Sequence, residues 1–159
     1  SNTDHLLKKT QEITEGEFLK LVDYDIKPCD SCWSCREKEG CVIDDDMTEV
    51  IIPKLLEADV LVLGSPVYFN NVSSQLKTFI DRTWSIKGKL RNKIGGTIVV
   101  GRKYGHESAV TAINSFFLKH EMIVANRGVS GIAFEKGAIT EDEEALKAAK
   151  KLGDRIMEL

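Results

Sequence analysis

Short apolar runs alternate with amphipathic segments along most of the chain. A continuous apolar run predicts a strand covered on both faces, whereas apolar residues spaced three and four apart predict a helix. On this basis we predict helices at residues 4–14, 47–57, 73–84, 108–120 and about 141–158. We predict strands at Glu17–Asp25, Asp59–Gly64, Gly95–Val100 and Met122–Ala125, with Asn126–Phe134 irregular or partly extended.

Polar side chains are placed to cap several of these helices. The predicted caps are Asp46 with Glu49 in the capping box, Ser73, and Thr140 with Glu143 in the capping box. Pro53 lies inside the helix predicted for residues 47–57. We expect it to kink that helix, because proline lacks a backbone N–H and its ring clashes with the preceding turn.

The alternation of strands and helices predicts an α/β fold with a parallel sheet flanked by helices. Right-handed crossovers would make this a doubly wound sheet, in a single domain over residues 1–159. Ligands of such sheets bind at the carboxyl ends of the strands, near the point where the strand order reverses.

Composition and charge narrow the class of protein. Of 159 residues, 42% are hydrophobic and 30% are charged, and the net charge is −3, as is typical of a soluble globular protein. No basic stripe indicates nucleic acid, and no apolar run approaches the roughly 20 residues that span a bilayer. We see no signal peptide before the first helix and expect a cytoplasmic, reducing compartment.

All four cysteines lie within thirteen residues, in the spacing C-x₂-C-x₂-C-x₅-C; they are Cys29, Cys32, Cys35 and Cys41. A turning loop over residues 28–42 can aim the first three sulfurs at one point and return the chain for the fourth. Thiolates are soft ligands that suit metal centres, and the tight triplet favours an iron–sulfur cluster. Zinc, reduced thiols without a metal and disulfides remain alternative interpretations.

Three segments are candidates for ligand binding. Ser1–Thr3 precede the first helix, where free backbone N–H groups suit a phosphate, although a plain helix cap also explains them. The segment Ser65–Asn71 follows a strand and offers backbone amides, a proline and two aromatic rings, which suit a flat hydrogen-bonding ring system. The segment Gly101–Glu107 carries two glycines that permit close approach of the backbone to a ligand, and two cations, Arg102 and Lys103.

With these loops placed, the chain resembles the iron–sulfur flavoproteins, a branch of the flavodoxin-like NADPH-dependent FMN reductase group. The resemblance lies in the cysteine run ending in CVIDDDM, in GSPVYFNNVSSQLKTFIDR at Gly64–Arg82, and in the opening SNT. The last of these is similar to the end of the group's phosphate-binding loop.

The resemblance implies an electron carrier with FMN and a [4Fe-4S] cluster, ferredoxin or NAD(P)H as electron donor, and assembly into homodimers or homotetramers. It implies cluster ligation by Cys29, Cys32, Cys35 and Cys41. It implies FMN binding by Ser1, Asn2, Thr3, Pro66, Val67, Tyr68, Phe69, Asn70, Gly101, Tyr104 and Gly105. No acid or base side chain is expected to be catalytic.

The chain departs from this group in two places. The group has a strand before its S-N-T, so we expect the first, central strand of the sheet to be missing from these 159 residues. The group's G-G-x-E pattern is replaced here by Tyr104-Gly105-His106-Glu107. Two other functions stay open: an NAD(P)H-dependent FMN or quinone reductase without a cluster, and a non-enzymatic flavodoxin-like module with a Cys₄ zinc or redox-sensing site.

Overall fold

A computed structural model describes residues 1–159. Its helices are α1 (Asn2–Thr14), α2 (Ile52–Glu57), α3 (Ser74–Arg82), α4 (His106–Lys119) and α5 (Glu143–Glu158). Its strands are β1 (Val60–Pro66), β2 (Ile94–Gly101), β3 (Ile123–Val124) and β4 (Val129–Ile132). Short 3₁₀ turns lie at Leu21–Asp23, Ser34–Arg36, Thr83–Ile86 and Ala138–Glu141, and a π-helical turn, Met47–Ile51, leads into α2.

The sheet is parallel throughout, as expected. β1 pairs with β2 along its whole length. β3 pairs with the start of β2 and β4 with its end, so these two strands form one interrupted neighbour of β2. The break between them is a turn at residues 126–128, in which the side chain of Asn126 accepts a hydrogen bond from the N–H of Gly128.

Two apolar clusters cover opposite faces of this sheet, which confirms the doubly wound arrangement. One includes Phe79 and Phe117 and lies under α2, α3 and α4; the other includes Leu6 and Leu152 and lies under α1 and α5. Gly95 of β2 allows α4 to pack closely, because a Cβ there would lie 2.6 Å from the ring of Phe117.

β1 has a strand neighbour on one side only. Next to the end of the strand, the N–H of Val67 donates to the C=O of Val100 on β2. Because alternate residues of a strand direct their backbone groups to the same side, the odd-numbered residues of β1 face β2. The even-numbered ones face the open edge: Val60, Val62, Gly64 and Pro66. The strand expected beside this edge is therefore not part of the sheet formed by these residues.

Residues Glu17–Asp25 are not a strand, and this prediction is wrong. They form a single 3₁₀ turn and pair with no strand of the sheet. The apolar residues Leu19, Leu21 and Tyr24 instead pack against the cluster under α2, α3 and α4. The apolar content of this segment therefore reflects packing of an irregular segment on the core rather than a strand.

The predicted caps are only partly correct. Ser73 caps α3 through a hydrogen bond from the N–H of Leu76, as expected. The cap of α5 is Asp142, which accepts from the N–H of Ala145, rather than Thr140. Thr140 donates its hydroxyl to the C=O of Gly137 and so belongs to the preceding turn.

The segment around α2 also differs from its prediction. Asp45, not Asp46, accepts hydrogen bonds from the N–H groups of Met47 and Thr48. Pro53 is the second residue of α2 and directly follows the π-helical turn Met47–Ile51. The irregularity predicted there takes the form of the preceding π-helical turn. No helix in the chain is both long enough and apolar enough to cross a bilayer.

Candidate functional site

The loop that follows β1 is a tight turn at the carboxyl edge of the sheet. The backbone groups of Tyr68 and Asn71 exchange two hydrogen bonds, of 2.8 and 3.0 Å. Between them, Phe69 and Asn70 have φ angles of 49° and 60°, which residues other than glycine adopt rarely. The turn exposes the rings of Tyr68 and Phe69 to solvent. It thus presents aromatic surface and strained backbone at the edge where the fold predicts a ligand.

A hydrogen bond between Ser65 and Ser73 joins the two ends of this loop. The buried hydroxyl of Ser65 accepts a hydrogen bond from the N–H of Ser73 at 2.9 Å and donates to the C=O of Pro66 at 2.8 Å. Since Ser73 is also the cap of α3, these bonds fix the loop to both the end of β1 and the start of α3.

Two glycines bring the loop after β2 into contact with the loop after β1. Gly105 has a φ of 86°, and a Cβ there would lie 2.5 Å from the Cα of Asn70. A Cβ on Gly101 would lie 3.0 Å from the Cβ of Val67 and 2.9 Å from the Nε2 of His106. Glycine at both positions therefore permits the close contact between the two loops.

The start of α1 lies at the same edge, but its side chains already have partners. The hydroxyl of Ser1 accepts from the N–H of Asp4. The Asn2 side chain donates to the C=O of Glu135 at 2.9 Å and accepts from the N–H of Gly137 at 2.8 Å. Thr3 is buried. The first backbone N–H groups of α1 have no partner within the helix, so these groups, rather than the side chains, remain to bind a ligand.

One cavity, of about 1410 Å³, joins these parts and continues along the open edge of β1. The predicted residues that line it are Ser1, Asn2, Thr3, Pro66, Val67, Tyr68 and Gly101. Phe69, Asn70, Tyr104 and Gly105 do not line it. Phe69 and Tyr104 are exposed, and Asn70 and Gly105 contact each other.

The sequence analysis missed one part of this lining, the segment that follows β4. Ala133 and Lys136 line the cavity together with Arg102 of the loop after β2. The two cations are exposed and form no ion pair, so positive charge is available for an anionic ligand. Residues 126–134 were predicted as irregular or partly extended, and without a definite strand there nothing placed the following segment at the carboxyl edge.

Hydrogen bonds donated by backbone N–H groups join the two ends of the cysteine loop. The N–H of Lys27 donates to the Asp45 carboxylate at 2.8 Å. The N–H of Asp25 donates to the Asp46 carboxylate at 2.6 Å, and the N–H of Asp46 donates to the C=O of Asp25 at 3.1 Å. We call these paired residues, 25–27 and 45–46, the neck of the loop.

Beyond the neck the loop is turned and open to solvent. The Asp30 side chain accepts from the N–H of Cys32, while Ser31 and Trp33 have φ angles of 59° and 61°. Cys29 and Cys32 are exposed, Cys35 and Cys41 are half-buried, and none forms a disulfide.

The structure does not gather the four sulfurs at one point. No three side chains among the histidines, cysteines, aspartates and glutamates lie in an arrangement that could hold a metal ion. The chemistry of the donor set nevertheless fits a thiolate-ligated centre, because four free thiols lie on one accessible loop.

A fully buried ion pair lies behind the neck, and the sequence analysis gave it no role. Arg82, the last residue of α3, donates from Nη1 to Oδ2 of Asp45 at 2.5 Å and from Nη2 to Oδ1 at 2.9 Å. Burial would raise the pKa of Asp45, but the hydrogen bonds from Arg82 and from the N–H of Lys27 lower it to about 2. Asp45 is therefore ionised over the whole physiological range.

The same guanidinium contacts the chain on both sides of the cysteines. Nη1 donates to the C=O of Lys27 at 2.6 Å, and Nη2 lies 3.5 Å from the C=O of Ile43. Burial would lower the pKa of Arg82, but the hydrogen bonds to Asp45 and the negative charge of Asp45 raise it. Its Nε is buried and has no acceptor in the protein.

The parallel sheet, with its loops and a helix start meeting at one edge, defines a flavodoxin-like protein with a ligand site in the expected place. The sequence model of the NADPH-dependent FMN reductases matches residues 1–137. The chain therefore belongs to the NADPH-dependent FMN reductase family, which makes it an FMN-dependent oxidoreductase.

Comparison with individual proteins confirms the resemblance inferred from the motifs. The chain is 40% identical over 160 residues to an iron–sulfur flavoprotein of Methanocaldococcus jannaschii, covering 94% of this chain and 82% of that protein. It is 36% identical over 156 residues to an iron–sulfur flavoprotein of Methanosarcina thermophila, covering 91% and 80% of the two chains.

A solved structure confirms the fold. The flavodoxin, WrbA-like protein of Agrobacterium tumefaciens superimposes with a TM-score of 0.64 at 15% identity, covering 97% of this chain and 89% of that one. At this identity the likeness bears on the fold alone.

Proposed function

We propose that the protein transfers electrons between a [4Fe-4S] cluster held by Cys29, Cys32, Cys35 and Cys41 and an FMN bound at the carboxyl edge of the sheet. The observation that carries this proposal is the presence of four free thiols on one loop in a member of an FMN reductase family. The iron–sulfur flavoproteins among its relatives support the same assignment. The electron donor would be ferredoxin or NAD(P)H.

FMN would supply the ability to exchange single electrons with one redox partner and electron pairs with another. The chain's own residues bind and orient it. The cavity lining from Pro66 to Tyr68 and Gly101 offers backbone groups and apolar surface for the ring system. Phe69, Asn70, Tyr104 and Gly105 would act at its border, where the two loops touch.

The phosphate of FMN would lie at the start of α1. The first N–H groups of that helix and its dipole favour an anion. Arg102 and Lys136 add positive charge within the same cavity. Ser1 and Asn2 would contribute through the backbone they fix rather than through their side chains, which already bond to Asp4 and to the segment after β4. Thr3 would contribute its N–H.

The cluster would supply one-electron chemistry. The chain's cysteines must deprotonate and turn inward to hold it. The backbone hydrogen bonds that fix the ends of the loop lie at the neck, and the one side-chain bond from within the cysteine run to the rest of the protein, between Glu39 and Lys89, is exposed, so the loop has room to adjust. Free thiols of this kind are stable in a reducing compartment, so we place the protein in the cytoplasm.

Exposed aromatic residues at the carboxyl edge favour assembly of several copies. Tyr68, Phe69, Tyr104 and Phe134 are all more than half exposed. Large apolar groups that cluster at a ligand site often contact a partner. A homodimer or homotetramer could cover this surface and bring the cysteine loop of one copy to the FMN site of another.

The test is electron flow from a one-electron donor to the flavin. Protein reconstituted without oxygen with FMN, iron and sulfide is mixed with reduced ferredoxin, and flavin absorbance is followed over time. We expect rapid loss of the oxidised flavin spectrum with iron present and slow loss in protein reconstituted with FMN alone. Equal rates in the two samples would argue against a cluster-to-flavin path.

A second function has support from one observation, the failure of the four sulfurs to converge. An NAD(P)H-dependent FMN or quinone reductase would need no cluster, and the cysteines would be ordinary thiols. Steady-state turnover with NADPH that does not change when iron is removed would favour this function.

A further inference from the structure

We propose that Arg82 is the positioning residue of the cysteine loop: it fixes both ends of the loop to α3, and its buried Nε–H is left without an acceptor. This inference rests on the proposed function, since it concerns the sulfur centre that the four cysteines would form. It assigns a role to a buried cation that belongs to neither the flavin loop nor the cysteine run.

The first support is the way in which one guanidinium ties the two ends of the loop. Arg82 donates to the C=O of Lys27, two residues before Cys29, and binds Asp45, four residues after Cys41. Asp45 in turn accepts from the N–H of Lys27. The chain leaving the neck and the chain returning to it are thus both bonded to the same fully buried side chain.

The second support is the unused hydrogen-bonding capacity of Arg82. Four of its contacts go to Asp45, Lys27 and Ile43 through the two terminal nitrogens. Its Nε is buried without an acceptor, a state that proteins usually avoid. This N–H would therefore be available to donate to a sulfur of the proposed cluster.

The third support is the position of Arg82 on the helix that leaves the flavin loop. α3 is capped by Ser73, which is bonded to Ser65 at the end of β1, and the helix ends at Arg82. Its nine residues span roughly 13 Å at the usual helical rise. The turn Ser34–Arg36 of the cysteine loop packs against Thr83–Ile86, which continues α3. A rigid helix therefore connects the two proposed redox sites, with Arg82 at the cysteine end.

The experiment compares Arg82→Lys with the wild type and with Lys89→Ala as a matched control. Lysine keeps the positive charge but loses the planar fork and the Nε. Lys89 pairs with Glu39 of the same loop, but both side chains are largely exposed. After anaerobic reconstitution with iron, sulfide and FMN, the rate of iron release to a chelator and the FMN per chain are measured.

We expect Arg82→Lys to release iron at least five times faster than the wild type, with unchanged FMN per chain. Lys89→Ala should release iron within a factor of two of the wild-type rate. Wild-type release from Arg82→Lys overturns the inference and leaves the proposed function standing. A wild-type protein that takes up no iron overturns the proposed function and this inference together, so the two failures are distinguishable.

A second variant covers the case in which Arg82→Lys does not fold. Arg82→Met combined with Asp45→Asn removes both charges, so that no uncompensated charge is left buried. We expect it to fold, to release iron faster than the wild type and to show a lower reduction potential of the iron centre, because hydrogen bonds to sulfur raise that potential. A purely structural role would lower the melting temperature without moving the potential, and that result overturns the inference.

Discussion

Gly105 packs directly against the backbone of Asn70, so closely that a Cβ on Gly105 would lie 2.5 Å from the Cα of Asn70. The two residues belong to loops that leave different strands, β1 and β2. Their contact holds the aromatic turn after β1 against the loop after β2. The geometry of the proposed flavin site therefore depends on the absence of a side chain at one position.

Gly105→Ala is expected to weaken FMN binding at least tenfold. The added methyl group must displace the backbone of Asn70, and a non-glycine residue at a φ of 86° costs a further ~1–2 kcal/mol. The dissociation constant can be measured by quenching of flavin fluorescence. Gly88→Ala is the matched control, because Gly88 has a φ of 85° but no atom within 4 Å of the added Cβ. Equal affinities for FMN in the two variants would contradict this account.

The open edge of β1 predicts an alternating pattern of amide exchange. The N–H groups of Leu61 and Leu63 face β2, whereas those of Val62 and Gly64 face the open edge. In the 159-residue chain we expect Val62 and Gly64 to exchange at least tenfold faster than Leu63. Hydrogen exchange resolved to single residues by NMR measures this. Equal protection of all four amides would mean that a further strand pairs with this edge.

His120 predicts a loss of stability in mild acid. Its Nε2 lies 3.0 Å from the hydroxyl of Thr83, its Nδ1 is buried without a partner, and burial lowers its pKa below 6.5. The imidazole of His120 therefore binds a proton more readily in the unfolded chain than in the folded one. The stability contributed by neutral His120 is complete above pH 6.5 and is lost as the pH falls below it. The slope from one group is at most about 1.4 kcal/mol per pH unit.

Urea unfolding at pH 7.5 and pH 5.5 tests this for the wild type and His120→Gln. We expect the free energy of unfolding to fall more between the two pH values in the wild type than in the variant. Identical changes in the two proteins would show that His120 carries no linked proton.

Cys35→Ala is expected to abolish iron binding and to leave FMN bound. Cys35 is the third thiol of the tight triplet and lies on the cysteine loop, away from the residues that line the cavity. Iron analysis and flavin absorbance of the reconstituted variant measure both cofactors, and Ser34→Ala serves as the control on the same turn. Loss of both cofactors would instead mean that the loop forms part of the flavin site.

The sequence predicted the strands of the sheet where apolar runs were continuous. Asp59–Gly64 and Gly95–Val100 correspond closely to β1 and β2, and this placed the loops that follow them at one edge. The apolar residues of Glu17–Asp25 were misleading, since an irregular segment that packs on the core can be as apolar as a strand. β4 was predicted only as part of an irregular or partly extended segment, because its four residues, Val129–Ile132, follow a turn and include a glycine.

The part of the site that the sequence could not supply is the contact between Arg82 and Asp45. The two residues are 37 positions apart, and neither stands out within its own segment. Arg82 ends an amphipathic helix, and Asp45 is one of three consecutive aspartates. Only the packing of α3 behind the neck shows which carboxylate is buried and why it stays ionised.

The most direct test of the central claim is an anaerobic absorption spectrum of the purified protein, with chemical analysis of iron, acid-labile sulfide and flavin. The account predicts the bands of oxidised flavin over a broad iron–sulfur absorbance, with about four iron atoms and one FMN per chain. A protein that shows neither absorbance and takes up neither iron nor FMN on reconstitution would contradict it.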